Sequence, residues 1–311
     1  MPFTLDPAVA ELIALGAGPA QPADFREGDD ARLRDILNDG LAQLSALPVD
    51  PAITTESIFA ATPDGHRVPL KWYSRGAESP GSAIVHFHGG ARVAGSVDLY
   101  EPLVKTYVAW TGVPVLAVDY RLSPEHAADS ATLDGLSALQ WLHAHVLERG
   151  VDPSRIAVMG DSAGGGVAAS VAIAARDAGL ALARQILIYP MLDDRVAPSD
   201  PHLTGAPTLF SPAYSRTAWS AVLSSQPAGE IPGPRIAAGR NTDFHGLAPA
   251  FIEVGELDIF RDESVAYAQH LWRAGVSTEL HVQPGMPHAY DVLLLGHEIY
   301  QTDKLRAITR L

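Results

Sequence analysis

Apolar residues follow two rhythms along this chain, and their alternation predicts its architecture. Continuous apolar runs occupy 82–88 (S-A-I-V-H-F-H), 113–118 (V-P-V-L-A-V), 155–160 (R-I-A-V-M-G) and 185–189 (Q-I-L-I-Y). Between them, near 99–111, 130–148 and 163–178, the pattern is helical. Short apolar runs bounded by turns and separated by helices predict an α/β fold, with a mostly parallel sheet covered on both faces. Residues 53–60 and 66–73, joined by T-P-D-G, predict an antiparallel hairpin on the sheet's edge. The alternation resumes with strands at 249–255 and 278–282 and helices at 261–274 and near 296–309.

Two stretches depart from this rhythm. In residues 1–50, Asp6-Pro7 is a good helix start, and 29–47 place Leu33, Ile36, Leu37, Leu41 and Leu44 at helical spacing. Such a stripe must cover something, so the segment is expected to dock on the body. Residues 191–240 are rich in Pro, Ser and Gly, with one helix predicted at 211–224 (Ser211 as cap, Pro212 at the first position). A long irregular insertion within an α/β domain reads as a lid or binding segment.

Composition narrows the partners. The chain has 311 residues, 47% of them hydrophobic and 19% charged, which describes a globular protein. Its formal net charge of −14 argues against nucleic acid and anionic membrane surfaces. There is no cysteine, so disulfides, a thiol nucleophile and thiolate metal sites are excluded. The start M-P-F-T-L-D-P lacks a signal-peptide pattern, and no apolar run approaches the roughly 18 residues of a membrane span. A cytoplasmic protein without integral membrane association is expected.

The chemistry concentrates at four loops. G-D-S-A-G at 160–164 lies between the strand ending at 160 and an Ala/Val-rich helix, the strand–turn–helix setting of a nucleophile elbow with Ser162 at its tip. It has neither a Walker lysine nor the spaced glycines of a dinucleotide site. H-G-G-A at 88–91 follows another strand, where Gly89 and Gly90 can turn backbone N–H groups inward and, with Ala163, supply three donors to an oxyanion. Asp258 and His288 follow the strands 249–255 and 278–282, on the edge where open α/β sheets bind ligands. The order Ser, Asp, His is that of α/β-hydrolases. Glu256 and Asp262 flank Asp258, with Asp262 the second choice for the acid. His86 and His88 share a strand face without a third ligand nearby, and His143 and His145 face different ways on a helix, so no metal site is expected.

Together, H-G-G-A-R-V-A-G-S, D-Y-R-L-S-P-E-H, G-D-S-A-G-G, Y-P-M-L-D-D, D-I-F-R-D-E and P-G-M-P-H-A-Y resemble the hormone-sensitive-lipase-like family of bacterial esterases, over roughly residues 50–295. The resemblance implies an α/β-hydrolase fold with a helical cap. The chain then divides into a cap segment (1–50), a first part of the core (51–190), a cap insertion (191–240) and a second part of the core (241–311). It implies a triad of Ser162, Asp258 and His288, oxyanion donors at Gly89, Gly90 and Ala163, no cofactor, and hydrolysis of short- to medium-chain esters. A homodimer is expected by family analogy. The same acyl-serine would also serve an acyltransferase or amidase. Plant gibberellin receptors resemble this family too but lack the triad histidine, which is present here as His288.

Two family positions differ. Ala91 stands where a third glycine is usual, which costs about 1–2 kcal/mol if the backbone there is left-handed. Arg92 stands where an aromatic residue is usual, and either meets a substrate carboxylate or points to solvent. Leu209, Phe210, Trp219 and Leu223 either line an acyl pocket or pack the cap onto the core.

Overall fold

A computed structural model describes residues 3–15, 22, 25–76, 80–196, 203, 209–295 and 301–311. Its strands are β1 (Ile53–Ala61), β2 (Arg67–Arg75), β3 (Ala83–Phe87), β4 (Val115–Val118), β5 (Ile156–Asp161), β6 (Arg184–Ile188), β7 (Ala250–Gly255) and β8 (Thr278–Gln283). They form one eight-stranded sheet in the order β1-β2-β4-β3-β5-β6-β7-β8. The β1–β2 hairpin joins through an antiparallel β2–β4 pairing, and every pairing from β4 to β8 is parallel. Each predicted strand is present to within two residues at either end.

The helices are α1 (Pro7–Ala14), α2 (Asp30–Ala42), α3 (Val97–Thr111), α4 (Ser130–Ala144), α5 (Val146–Arg149), α6 (Ala163–Asp177), α7 (Pro212–Leu223), α8 (Arg261–Arg273), α9 (Tyr290–Leu293) and α10 (Thr302–Thr309). The two predicted caps form. The Asp6 carboxylate accepts the Ala8 N–H at 2.8 Å, and Ser211 accepts that of Tyr214 at 3.2 Å, each ahead of a proline in the first turn. The helix predicted over 130–148 is broken at His145, whose backbone (φ −114, ψ 14) leaves the helical region as its N–H turns back to Leu142. The final helix predicted near 296–309 is present from Thr302, while 296–300 lie outside the described residues.

Alternation along the strands sends successive side chains to opposite faces. Val85, Phe87, Leu116, Val158 and Leu187 pack with α4, α6 and α8 on one face. Ile84, Val115, Met159, Ile186 and Phe251 pack with α3, α10 and α1 on the other. A third cluster lies beyond the strand ends. There Leu33 and Ile36 of α2 meet Tyr214, Ala218, Trp219 and Val222 of α7, together with Ala163, Phe210 and Phe260. The N-terminal stripe therefore docks over the carboxyl ends of the strands, where each fully buried leucine contributes roughly 1.5–3 kcal/mol.

Candidate active site

The turn between β5 and α6 exists because its neighbours are small. A Cβ on Gly160 would stand 2.3 Å from the Gly164 backbone, and one on Gly164 would stand 2.0 Å from the Phe87 carbonyl oxygen. Helix α6 can thus sit directly against β3 and β5. Ser162 pays for the sharp reversal with φ +56 and ψ −122, a conformation costing on the order of 1–3 kcal/mol for a residue with a side chain. Its carbonyl oxygen accepts N–H groups from Gly166 (3.1 Å) and Met191 (2.9 Å), and its own N–H donates to Ile188 (2.8 Å). The strain is held from three directions.

Three residues far apart in sequence meet here. Ser162 Oγ lies 2.9 Å from His288 Nε2, and His288 Nδ1 lies 2.7 Å from Asp258 Oδ2. A carboxylate only accepts, so Nδ1 carries the proton and Nε2 is left to accept from the serine hydroxyl. Asp258 is 1% exposed, and its second oxygen accepts the Phe260 N–H at 2.9 Å. The imidazole sits among three rings: Tyr189 (centroids 4.7 Å apart), Phe260 (5.2 Å) and Phe210 (5.4 Å).

The Ser162 hydroxyl and His288 open onto a cavity of about 290 Å³. Gly90 and Ala91 form part of its wall; Gly90 has φ +117, and a Cβ there would strike the Ala94 carbonyl oxygen at 2.2 Å. Behind Gly90, a Cβ on Gly89 would meet the Tyr100 hydroxyl at 2.5 Å and an Asp161 oxygen at 2.9 Å. Ala163 opens α6, and the first N–H groups of a helix have no partner within it. The glycine turn, the elbow and the helix start thus converge on one spot. His88, buried and stacked on Tyr120 at 4.3 Å, has its pKa lowered by burial and accordingly stays neutral under the loop.

Ala91 does lie in the left-handed region, with φ +57, and Arg92 follows at φ +61. Arg92 does not point to solvent. It is 4% exposed, and its guanidinium donates to the Ile236 carbonyl at 2.7 Å and to that of Ala128. Burial lowers its pKa to about 10, which still leaves it charged at neutral pH. Its task is to tie the chain near 236 to the loop ahead of α4.

The cavity's walls differ in part from expectation. Leu209 and Phe210 line it, whereas Trp219 (3% exposed) and Leu223 pack within the cluster that joins α2 to α7. The rest of the apolar wall comes from Leu37, Leu41, Leu44 and Leu47 at the N-terminal end of the chain and from Val292 and Leu293 of α9. The α2 stripe was visible in sequence, and its width was the available signal. Leu33 and Ile36 form one row that packs inward, and Leu37, Leu41 and Leu44 a second that faces the cavity. Nothing comparable marked Tyr100, Asp161 and Tyr189 as its polar floor. A separate group, Glu279, His281 and Asp303, has metal-ligand spacing, but the Arg306 guanidinium already pairs with both carboxylates.

A hydroxyl aimed by an imidazole into an apolar cavity, on a parallel sheet with these crossovers, is the arrangement of a serine hydrolase. The family model described as alpha/beta hydrolase fold matches residues 84–292, and the chain belongs to that family, in its hormone-sensitive-lipase-like branch. Over 97% of its length it is 31% identical to an ethyl acetate hydrolase of Pseudomonas putida, covering 96% of that protein. Over 67% of its length it is 39% identical to the carboxylesterase NlhH of Mycobacterium tuberculosis, covering 66% of it. The solved structure of a bacterial heroin esterase superposes with a TM-score of 0.86 at 32% identity, covering 99% of this chain and 98% of that one. The chain is a carboxylic ester hydrolase whose substrates are small-molecule esters. No helix among the described residues is long and apolar enough to cross a membrane.

Proposed function

We propose that Ser162, His288 and Asp258 carry the hydrolysis as a charge-coupled triad and that the substrates are esters of short to medium acyl chains. The carrying observation is the unbroken run of contacts from Ser162 Oγ to His288 Nε2 and from His288 Nδ1 to Asp258, at the edge of an apolar cavity. His288 accepts the serine proton as Oγ attacks the ester carbonyl. Asp258 fixes the tautomer and stabilises the imidazolium. The developing oxyanion receives backbone N–H groups of Gly89, Gly90 and Ala163, each worth roughly 10²–10³ in rate. His288 then protonates the departing alcohol, and water, deprotonated by the same imidazole, releases the acid from Ser162.

Cavity size supports the acyl range. At about 290 Å³ it falls at the small end of ligand pockets, and leucine is the commonest residue in its walls. The residues at 1–50 and 191–240 act as the cap in this reading, since α2 and α7 pack on each other above the strand ends.

A p-nitrophenyl ester series from acetate to palmitate, run beside a fluorophosphonate probe, tests the proposal. Wild type should label and should favour the shorter esters, and Ser162→Ala should neither label nor turn over beyond a slow residual rate. Labelling that persists in Ser162→Ala would show that the nucleophile lies elsewhere. Products formed in the presence of added alcohol or amine separate hydrolysis from acyl transfer.

A further inference from the structure

We infer that Tyr189 is a positioning residue for the His288 imidazole, held in place by a buried Asp291–Lys304 ion pair that connects the active site to the C-terminal helix. The inference rests on the triad reading above. Tyr189 ends the run that forms β6, and its ring meets the imidazole edge-on, with centroids 4.7 Å apart. Its backbone has φ +36, a region that residues with side chains rarely enter, so the chain is forced there by its surroundings. The Tyr189 N–H donates to the Glu253 carbonyl at 2.6 Å, and its hydroxyl donates to Asp291 Oδ1 at 2.6 Å. Both ends of the residue are pinned.

Asp291 follows His288 by three residues, so one short segment carries both the imidazole and the acceptor that fixes the ring beside it. The other Asp291 oxygen pairs with the Lys304 ammonium, and both residues are buried. Lys304 also donates to the Tyr107 hydroxyl at 3.3 Å and lies over that ring, 5.1 Å from its centroid. The Gln301 amide donates to the Asp291 carbonyl at 2.7 Å. Residues of α3, the position just after β6, the His288 segment and the C-terminal end of the chain thus converge on this ion pair.

Stability alone does not explain such a group. Two charges taken out of water are rarely repaid by their mutual attraction, and apolar residues of similar volume usually serve a core at least as well. What the pair provides is direction. It fixes one carboxylate oxygen, which fixes the Tyr189 hydroxyl and with it the plane of the ring against the imidazole. Small displacements of a reacting group lower rates far more than they lower substrate binding.

The test compares two double variants with the same net charge. Asp291→Asn/Lys304→Met keeps an acceptor for Tyr189, and Asp291→Leu/Lys304→Met removes it, while both lose the same pair of charges. With p-nitrophenyl acetate, the Leu pair should have a kcat at least fivefold below the Asn pair, with KM values within twofold of each other. Tyr189→Phe, which keeps the ring and loses the anchor, should show the same loss in kcat at near-wild-type KM, with a stability loss of its own because Asp291 Oδ1 is left without that donor. It should also weaken the downfield proton resonance of the His288–Asp258 hydrogen bond. Equal kcat in folded Asn and Leu pairs, or a Tyr189→Phe effect confined to KM, would overturn the positioning role while leaving the esterase reading intact. A wild type that neither labels nor hydrolyses would overturn both.

Discussion

Asp258 holds the backbone N–H of Phe260 with one carboxylate oxygen and the His288 imidazole with the other, so the acid is oriented by its own loop before it orients anything else. The Phe260 ring in turn stands edge-on to that imidazole. Asp258→Asn should therefore keep its place in the structure, because an amide oxygen can still accept from Phe260. It would present an N–H toward His288 Nδ1 and favour the wrong tautomer. We expect kcat to fall roughly 10³–10⁴-fold with KM little changed. The corresponding change at Asp262, which lies outside this contact chain, should have only a small effect.

Ala91 occupies a left-handed backbone position in the wall of the cavity. Ala91→Gly would relieve about 1–2 kcal/mol of steric cost and give back roughly half of it through the greater freedom of the unfolded chain. A net gain on the order of 0.5–1 kcal/mol is expected in urea unfolding, with activity retained. A destabilised Ala91→Gly would mean that the position carries no strain.

The division of the α2 and α7 side chains can be read by two substitutions. Leu41 lines the cavity, so Leu41→Ala should shift preference toward longer p-nitrophenyl esters, and Leu41→Trp toward acetate. Trp219 packs between α7 and its neighbours without reaching the cavity. Trp219→Ala should cost about 3–5 kcal/mol of stability and leave the chain-length profile of the surviving enzyme unchanged.

Glu253 lies in β7 at 1% exposure, accepting the Tyr290 hydroxyl. Burial raises its pKa from 4.5 to about 7, against the opposing pull of Lys304 and the tyrosine. Between those two values the folded state binds more protons than the unfolded state, so stability falls as pH rises through that window. The loss is on the order of 3 kcal/mol if the other groups of the cluster do not compensate. Glu253→Gln should flatten the decline, matching wild type near pH 4.5 and exceeding it at pH 8. Parallel slopes in urea unfolding at the two pH values would assign the wild-type trend to other groups.

Much of this molecule was legible because its signals are local. Buried parallel strands are continuous apolar runs, and Asp6-Pro7 and Ser211-Pro212 announce the helices they cap. The loops bearing Gly89, Ser162 and Asp258 could be placed because each directly follows such a strand, and that of His288 because it follows the half-buried edge strand β8. What sequence could not convey was direction across space. Arg92 looked available to a ligand because arginine usually reaches outward, yet two carbonyl oxygens 36 and 144 residues away hold it inside. Trp219 and Leu41 both belonged to apolar helix faces, and only the packing of α2 on α7 decides which of them meets the cavity. The buried Lys304 had no mark at all, since its partner Asp291 lies in a different element.

The walls of the cavity come from as early as Leu37 and as late as Leu293, and the Ser162–His288 contact joins positions 126 residues apart. During synthesis, then, under the proposed mechanism, a chain that has already exposed the Ser162 hydroxyl would have no imidazole to activate it and only part of a container for an acyl group. Reactivity should switch on late and all at once, when the last strands dock, which shields a half-made chain from acylating itself on passing esters.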